Sequence, residues 1–272
     1  DSYWNVGRLD FDNLDDYATY ADNMVAYETG GTVRQSKRAA IWCTKNPGDR
    51  ATGLLTNQVA LPMINGQGPI KPVGAQAGFK VDTFVGANAT KAALLDLLRG
   101  EANPPALLFT GSHGVAFPSD DPLQRENQGA LLGQEWSFGD TPTAAHYLTG
   151  AEVLAEADAH GLMHFLFACY GGGCPAEDNF TAQKTQLMPN PITARVPQAL
   201  LKKGALAVLA HIDRAWAYSF QSTAGRSQYQ GFRSVMNSIL NGDPIGQATD
   251  SFNQKWSVLG ADLQEILRDR AQ

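Results

Sequence analysis

The chain has 272 residues and a formal net charge of −6, above the ~150-residue soft prior for one domain, so one large α/β domain or two small ones are open. With 43% hydrophobic and 18% charged residues it has apolar matter for a sizeable core, and disordered, collagen-like and solenoid classes fit poorly. Lys and Arg are scattered, which disfavours a nucleic-acid groove, and no segment approaches the ~20 apolar residues that span a bilayer.

The chain opens at Asp1 rather than Met, as expected of a processed or partial product, and Asp1 to Asp10 lack the basic and apolar regions of a signal peptide. Three cysteines, Cys43, Cys169 and Cys174, are an odd number and too few for a disulfide scaffold. A reducing, cytoplasmic setting is the simpler expectation.

Helical spacing of Tyr17, Tyr20, Met24 and Tyr27 predicts a helix over 15–28, ended by Gly30-Gly31. Residues 39–43 read as a short buried strand, 50–64 as a helix, 79–84 as a strand and 90–98 as a helix before Gly100. The apolar run 106–110 is a strand leading into Gly111-Ser112-His113-Gly114. A polar loop spans Pro118 to Gln128, and 130–136 reads as a strand or hairpin. A helix over 151–159 precedes a strand over 162–168, which runs into Cys169-Tyr170-Gly171-Gly172-Gly173. A helix over 194–203, a strand over 205–210 and closing helices over 229–240 and 245–268 complete the chain. Apolar strands separated by helical patterns imply a mainly parallel sheet covered on both faces. No composition break divides it, so one domain spanning 1–272 is expected.

In open α/β sheets, sites gather at the carboxyl ends of strands. Two strands here end in reactive residues, His113 and Cys169. If these strands are neighbours, an imidazole and a thiol share one rim. That pair suits nucleophilic catalysis: the imidazole takes the thiol proton and later protonates a leaving amine. Gly114 lets backbone N–H groups approach a substrate oxygen, and the amides of Gly114 and Cys169 form a candidate oxyanion hole.

The segments Phe109-Thr110-Gly111-Ser112-His113-Gly114 and Phe167-Ala168-Cys169-Tyr170-Gly171-Gly172 resemble the His-Gly and Ala-Cys-x-Gly motifs of the caspase–gingipain clan of cysteine peptidases. Phe167 stands where caspases carry Gln, which turns the likeness away from true caspases. Asn5-Val6-Gly7-Arg8-Leu9-Asp10 resembles the opening of the main catalytic subdomain of gingipain-like enzymes. The resemblance runs from about Val6 to Phe252 and is closest to bacterial gingipain-like and caspase-like CHAT peptidases. It implies a caspase-like three-layer α/β sandwich of about six mostly parallel strands. It also implies hydrolysis of a protein or peptide substrate through a Cys169 thioester, with no cofactor, and further domains or a second chain N-terminal to this segment. In the clan, the segment after the strand that follows the Cys strand helps shape the pocket for the residue before the cleaved bond. Here that segment holds Asp213, Arg214, Trp216 and Tyr218. Asp213 would attract a basic side chain and Arg214 an acidic one, with a pair between the two as the alternative; Trp216 or Tyr218 would wall the pocket. A basic preference is the reading adopted.

Each feature also has a plainer reading. Cys43 lies inside a strand and reads as core, Cys174 as a loop-lining residue or a redox partner of Cys169, and Ser112 as a loop hydroxyl. A zinc site from His160, His164, Cys169 and Cys174 matches no standard spacing. The glycines after Cys169 lack the order of a phosphate-binding loop. A flavodoxin-like cofactor binder is a third reading, and a colourless protein free of nucleotide would count against it. The alternative of another class is a catalytically latent caspase-like domain that serves as a binding or regulatory module. No residue in the sequence stands out as the group that orients His113, although Asp120 and Asp121 are near it.

Overall fold

A computed structural model describes residues 6–30, 35–100, 104–178, 180, 183–222 and 224–271. Its central sheet has five parallel strands: β1 (Arg38–Cys43), β2 (Lys80–Val85), β3 (Leu107–Gly111), β4 (Met163–Phe167) and β5 (Ala207–Ala210). They lie in the order β2-β1-β3-β4-β5, each parallel to its neighbours. The three inner strands are almost continuously buried, as expected when both faces of a parallel sheet are covered.

Side-chain alternation along these strands divides the interior into two cores. Ile41, Cys43, Phe109, Phe165 and Phe167 face one side. There they meet the helical run α2 (residues 50–65) through Leu55, Val59 and Met63, and α6 (Gln230–Leu240) through Phe232, Val235 and Met236. Ala40, Trp42, Leu108 and Leu166 face the other side. Their partners are Leu94 and Leu98 of α3 (Lys91–Arg99), Val153 of α4 (Gly150–Glu156), and Val196 and Leu200 of α5 (Arg195–Lys202). Each fully buried Leu, Ile or Phe is worth about 1.5–3 kcal/mol in transfer free energy, so helix layers on both faces hold the sheet. The result is a three-layer α/β sandwich.

Local chemistry sets several boundaries. Thr90 caps α3 by accepting the Ala93 N–H, and Gly100 stops it in the left-handed region at φ +63°. Thr149 and Glu152 form a reciprocal capping box at the start of α4. The first helix, α1 (Leu14–Thr29), packs beside α5; the Tyr20 hydroxyl donates to Leu206 O at 3.0 Å and Lys202 pairs with Asp16 at 3.1 Å. The last helical region breaks at Thr249 into Ile245–Ala248 and α7 (Asp250–Ala271). Among the described residues no helix is long and apolar enough to cross a membrane.

Three expectations change. The sheet has five strands rather than six, and all five are parallel. The apolar segment at 130–136 contributes only Leu131–Leu132, which pairs antiparallel with Tyr147–Leu148 outside the sheet. The segment Pro118–Gln128 is loop over 118–123, as expected, and then departs from it. Residues Gln124–Asn127 form a helical turn, and buried Gln124 donates to Phe117 O and Leu187 O.

Candidate active site

The strand order reverses between β1 and β3: the chain runs outward from β1 to β2, then crosses back over β1 to β3. In open parallel sheets the crevice at the carboxyl ends beside such a reversal is where ligands bind. Four adjacent strands deliver polar groups there. The loop after β1 carries Asp49, β3 leads to His113, β4 to Cys169 and β5 to Asp213.

His113 and Cys169 stand at one level. Gly111 at the end of β3 is opposite Phe167 at the end of β4, and each candidate residue lies two positions further on. The turns are pressed together: a Cβ on Gly114 would lie 1.8 Å from Cys169 O, and one on Gly129 2.0 Å from Tyr170 O. Only glycine allows this approach. Tyr170 takes φ +56°, an uncommon conformation for an aromatic residue and one met often at functional turns. The structure thus brings together the His113 and Cys169 turns that the sequence motifs single out.

The group that orients His113 is Asp49, which sequence reasoning missed. His113 Nε2–H donates to Asp49 Oδ2 at 2.9 Å, since an ionised carboxylate only accepts. In neutral imidazole the proton therefore sits on Nε2, and Nδ1 keeps the lone pair. Asp49 is itself the N-cap of α2 and accepts from the Ala51 and Thr52 amides at 3.2 and 2.8 Å and from the Thr52 hydroxyl at 2.6 Å. Its burial would raise the carboxyl pKa. The Thr52 donors, the neighbouring His113 and the Ala51 amide outweigh that and hold it below the usual carboxylate range. Asp121 instead accepts the Leu123 N–H within its own turn.

Cys169 is half-buried, and its Sγ accepts the Ala215 N–H at 3.3 Å. Burial pushes its thiol up from the ordinary range, against the lowering effects of the Ala215 amide and Arg214. Of the surrounding amides, Tyr170 donates to Asp213 O, Gly171 to Ala168 O, Gly172 to His211 O and Gly173 to Tyr170 O. A glycine-rich phosphate cradle is therefore excluded, because the donors it needs are spent. The amides of Gly114 and Cys169 have no backbone acceptor among the described residues, as an oxyanion hole requires.

The rim after β5 is differently wired than adjacency in sequence suggests. Arg214 does not pair with Asp213. Its guanidinium pairs with Asp178 and lies over the rings of Trp216 and Phe180, at 4.8 and 5.3 Å from their centroids. Asp213 Oδ1 accepts the Arg214 backbone N–H at 2.7 Å. Its negative charge reaches Cys169, Cys174, Tyr170 and His211, each of whose acidities it weakens. Trp216 is 41% exposed. Tyr218 lies in the 3-10 turn Ala217–Ser219, and its side chain is outside the described residues, as is Asn5 of the N-terminal motif.

The plainer readings divide clearly. Cys43 is core: it is fully buried, and burial pushes its thiol to about 12. Cys174 sits in the short ladder Gly173–Cys174 with Ile192–Thr193, buried with Tyr170 and Met188, its thiol pushed to about 11. His160 meets Tyr27 edge-on before β4 begins, whereas Cys169 follows its other end, so the two cannot share a zinc ion. Fully buried His164 gives Nε2 to Thr110.

No protein-family model matches the chain, and no curated protein matches it in sequence. Its class is therefore defined by architecture and site: a parallel three-layer α/β sandwich with a carboxylate, an imidazole and a thiol at the switch-point crevice.

Proposed function

We propose that this chain is a cysteine endopeptidase of the caspase–gingipain type, hydrolysing peptide bonds through a Cys169 thioester and favouring a basic residue before the cleaved bond. The observation that carries the reading is the Asp49–His113 pair on a turn packed against the Cys169 turn, at the carboxyl ends of adjacent strands. A histidine held by a carboxylate, on a turn packed against a thiol-bearing turn whose neighbouring Gly114 and Cys169 amides bond no backbone carbonyl, supports acyl transfer.

In this mechanism Asp49 fixes the tautomer, so that His113 Nδ1 can take the thiol proton as Cys169 Sγ attacks the scissile carbonyl carbon. The carbonyl oxygen becomes an oxyanion held by the Gly114 and Cys169 amides; one such donor is typically worth ~3–4 kcal/mol. Collapse expels the amine, which takes the proton from His113, and leaves a thioester on Cys169. Water, deprotonated by His113, attacks the thioester. Release of the acid restores the thiol. No cofactor enters these steps. Asp213 supports the basic preference, since the neighbouring cation is already neutralised by Asp178.

The test is a mixed peptide library with an acylating peptide probe. Cleavage and covalent labelling that are both lost in Cys169→Ala are expected. An intact fold with neither labelling nor cleavage overturns the assignment in favour of a latent binding module.

A further inference from the structure

We infer that Phe138, backed by Trp136, receives the side chain that follows the cleaved bond and selects a large apolar or aromatic residue there. The inference rests on the peptidase reading and adds to it the substrate on the leaving-group side.

Phe138 is 66% exposed, whereas Trp136 beneath it is 8% exposed. Trp136 meets the His113 ring edge-on, with centroids 5.7 Å apart, and the Phe138 ring meets Trp136 in the same way at 6.1 Å. Both aromatics are fixed by main-chain and indole hydrogen bonds. Trp136 Nε1–H donates to Asp140 O at 2.8 Å, and its carbonyl accepts from Asn46 Nδ2 at 2.9 Å. Phe138 N–H donates to Pro47 O at 3.0 Å, on the loop that carries Asp49. Phe138, with its backbone anchored and its ring set edge-on against a fixed Trp136, offers an apolar surface whose ordering cost is partly met before ligand arrives.

Direction follows from the chemistry. The leaving amine must receive its proton from His113, so the substrate beyond the cleaved bond passes the imidazole. On the ring's apolar side, away from its bond to Asp49, Trp136 and beyond it Phe138 line its path. The acyl half is served from the other side, where Ala215 touches Cys169 and Asp213, Arg214 and Trp216 follow β5. Among the described residues the exposed Phe and Trp side chains are Phe138, Phe180, Trp216 and Trp256; the first three belong to this rim, and of these Phe138 stands on the histidine side.

The experiment uses internally quenched peptides whose acyl half is the best found in the library and whose next residue is Phe, Leu, Ala, Gly or Asp. Wild type is expected to cleave the Phe and Leu peptides about tenfold faster in kcat/KM than the Gly peptide, the discrimination one apolar contact supplies. Phe138→Ala is expected to bring that ratio close to one, and Phe138→Trp to keep it. Cys169-dependent cleavage with the same ratio in wild type and Phe138→Ala, or a wild-type preference for Gly or Asp, overturns the subsite and leaves the peptidase reading standing. Failure of every peptide to be cleaved by folded protein overturns both.

Discussion

Asp49 and His113 are 64 residues apart in the chain and 2.9 Å apart in space. The carboxylate has two duties, because the oxygen that meets the imidazole also receives the first turn of α2. These duties separate by substitution. Asp49→Asn keeps the shape and a capping oxygen but removes the charge and scrambles the tautomer preference. A fall in kcat of about 10²–10⁴-fold is expected, the range seen when a triad carboxylate is neutralised, with KM little changed. Asp49→Ala should add a cap loss of about 1 kcal/mol, read as a lower Tm. Undiminished kcat in Asp49→Asn would remove Asp49 from the mechanism.

The thiol pH profile is a second prediction. Burial raises the Cys169 thiol, so under the proposed mechanism thiolate forms as His113 accepts the proton during attack rather than standing ready in the free protein. Alkylation by iodoacetamide should therefore be slow at pH 7 and climb through a midpoint above the ordinary thiol range. A plateau already reached near pH 6 would mean a standing thiolate–imidazolium pair and contradict this account.

Glycine contacts give a paired stability test. Gly114→Ala sets a methyl group 1.8 Å from Cys169 O, a clash with backbone that no rotamer relieves. A loss of about 3 kcal/mol or more is expected, with loss of Cys169 labelling. Gly53, inside the first turns of α2, has open space around an added Cβ, and Gly53→Ala should stabilise by up to about 1 kcal/mol. Chemical denaturation of both variants reads the opposite signs; equal midpoints would refute the close approach of the two turns.

His164 predicts acid sensitivity unrelated to catalysis. Complete burial depresses its pKa to about 3, against about 6.5 in the unfolded chain. Between those values the unfolded state binds a proton that the native state does not, so this residue's contribution is fully present above about pH 6.5 and declines as pH falls toward 3. Denaturation midpoints measured from pH 7 to 4 should fall more steeply for wild type than for His164→Asn. Parallel slopes would show that His164 does not titrate this way.

Much of this fold was legible because its signals are local. The apolar runs at 39–43, 106–110 and 162–168 lack polar alternation and are short and bounded by turn residues, which favours strands covered on both faces. The His113 and Cys169 turns show themselves as reactive residues that end such runs beside glycine. Asp49 was hidden because its role arises from strand order: β1 lies beside β3 although β2 intervenes in the chain. A signal did exist. Asn46-Pro47-Gly48-Asp49 follows a strand and caps a helix, so the carboxyl-end rule applied to β1 would have placed a carboxylate at the crevice. The Arg214–Asp178 pair was hidden similarly, since Asp213 was the obvious neighbour in sequence, whereas Asp178 lies 36 residues away in the chain and meets Arg214 only in the fold. Residues 130–136 have strand composition but pair with a two-residue partner, and no local pattern reveals how long a partner will be.

Specificity is the last prediction, and it depends on which charge at the rim remains unspent. Arg214 is neutralised by Asp178 and covered by Phe180 and Trp216, so it offers an acidic substrate little. Asp213 has one carboxylate oxygen on the Arg214 amide, and its field reaches the Cys169 thiol. A substrate guanidinium could meet this carboxylate with charge-assisted hydrogen bonds, each stronger than a neutral one. Matched peptides ending in Arg, Lys, Asp, Asn or Leu before a fluorogenic leaving group should therefore show Arg and Lys first. Asp213→Asn should lower kcat/KM for the Arg peptide about tenfold or more while changing the Leu peptide much less, because an uncharged side chain gains nothing from the carboxylate. Asp178→Asn gives the opposite arm: it releases the Arg214 charge and should narrow the gap between Arg and Asp peptides. A wild-type preference for Asp, or unchanged Arg cleavage in Asp213→Asn, would reassign the pocket and leave the Cys169–His113 chemistry untouched.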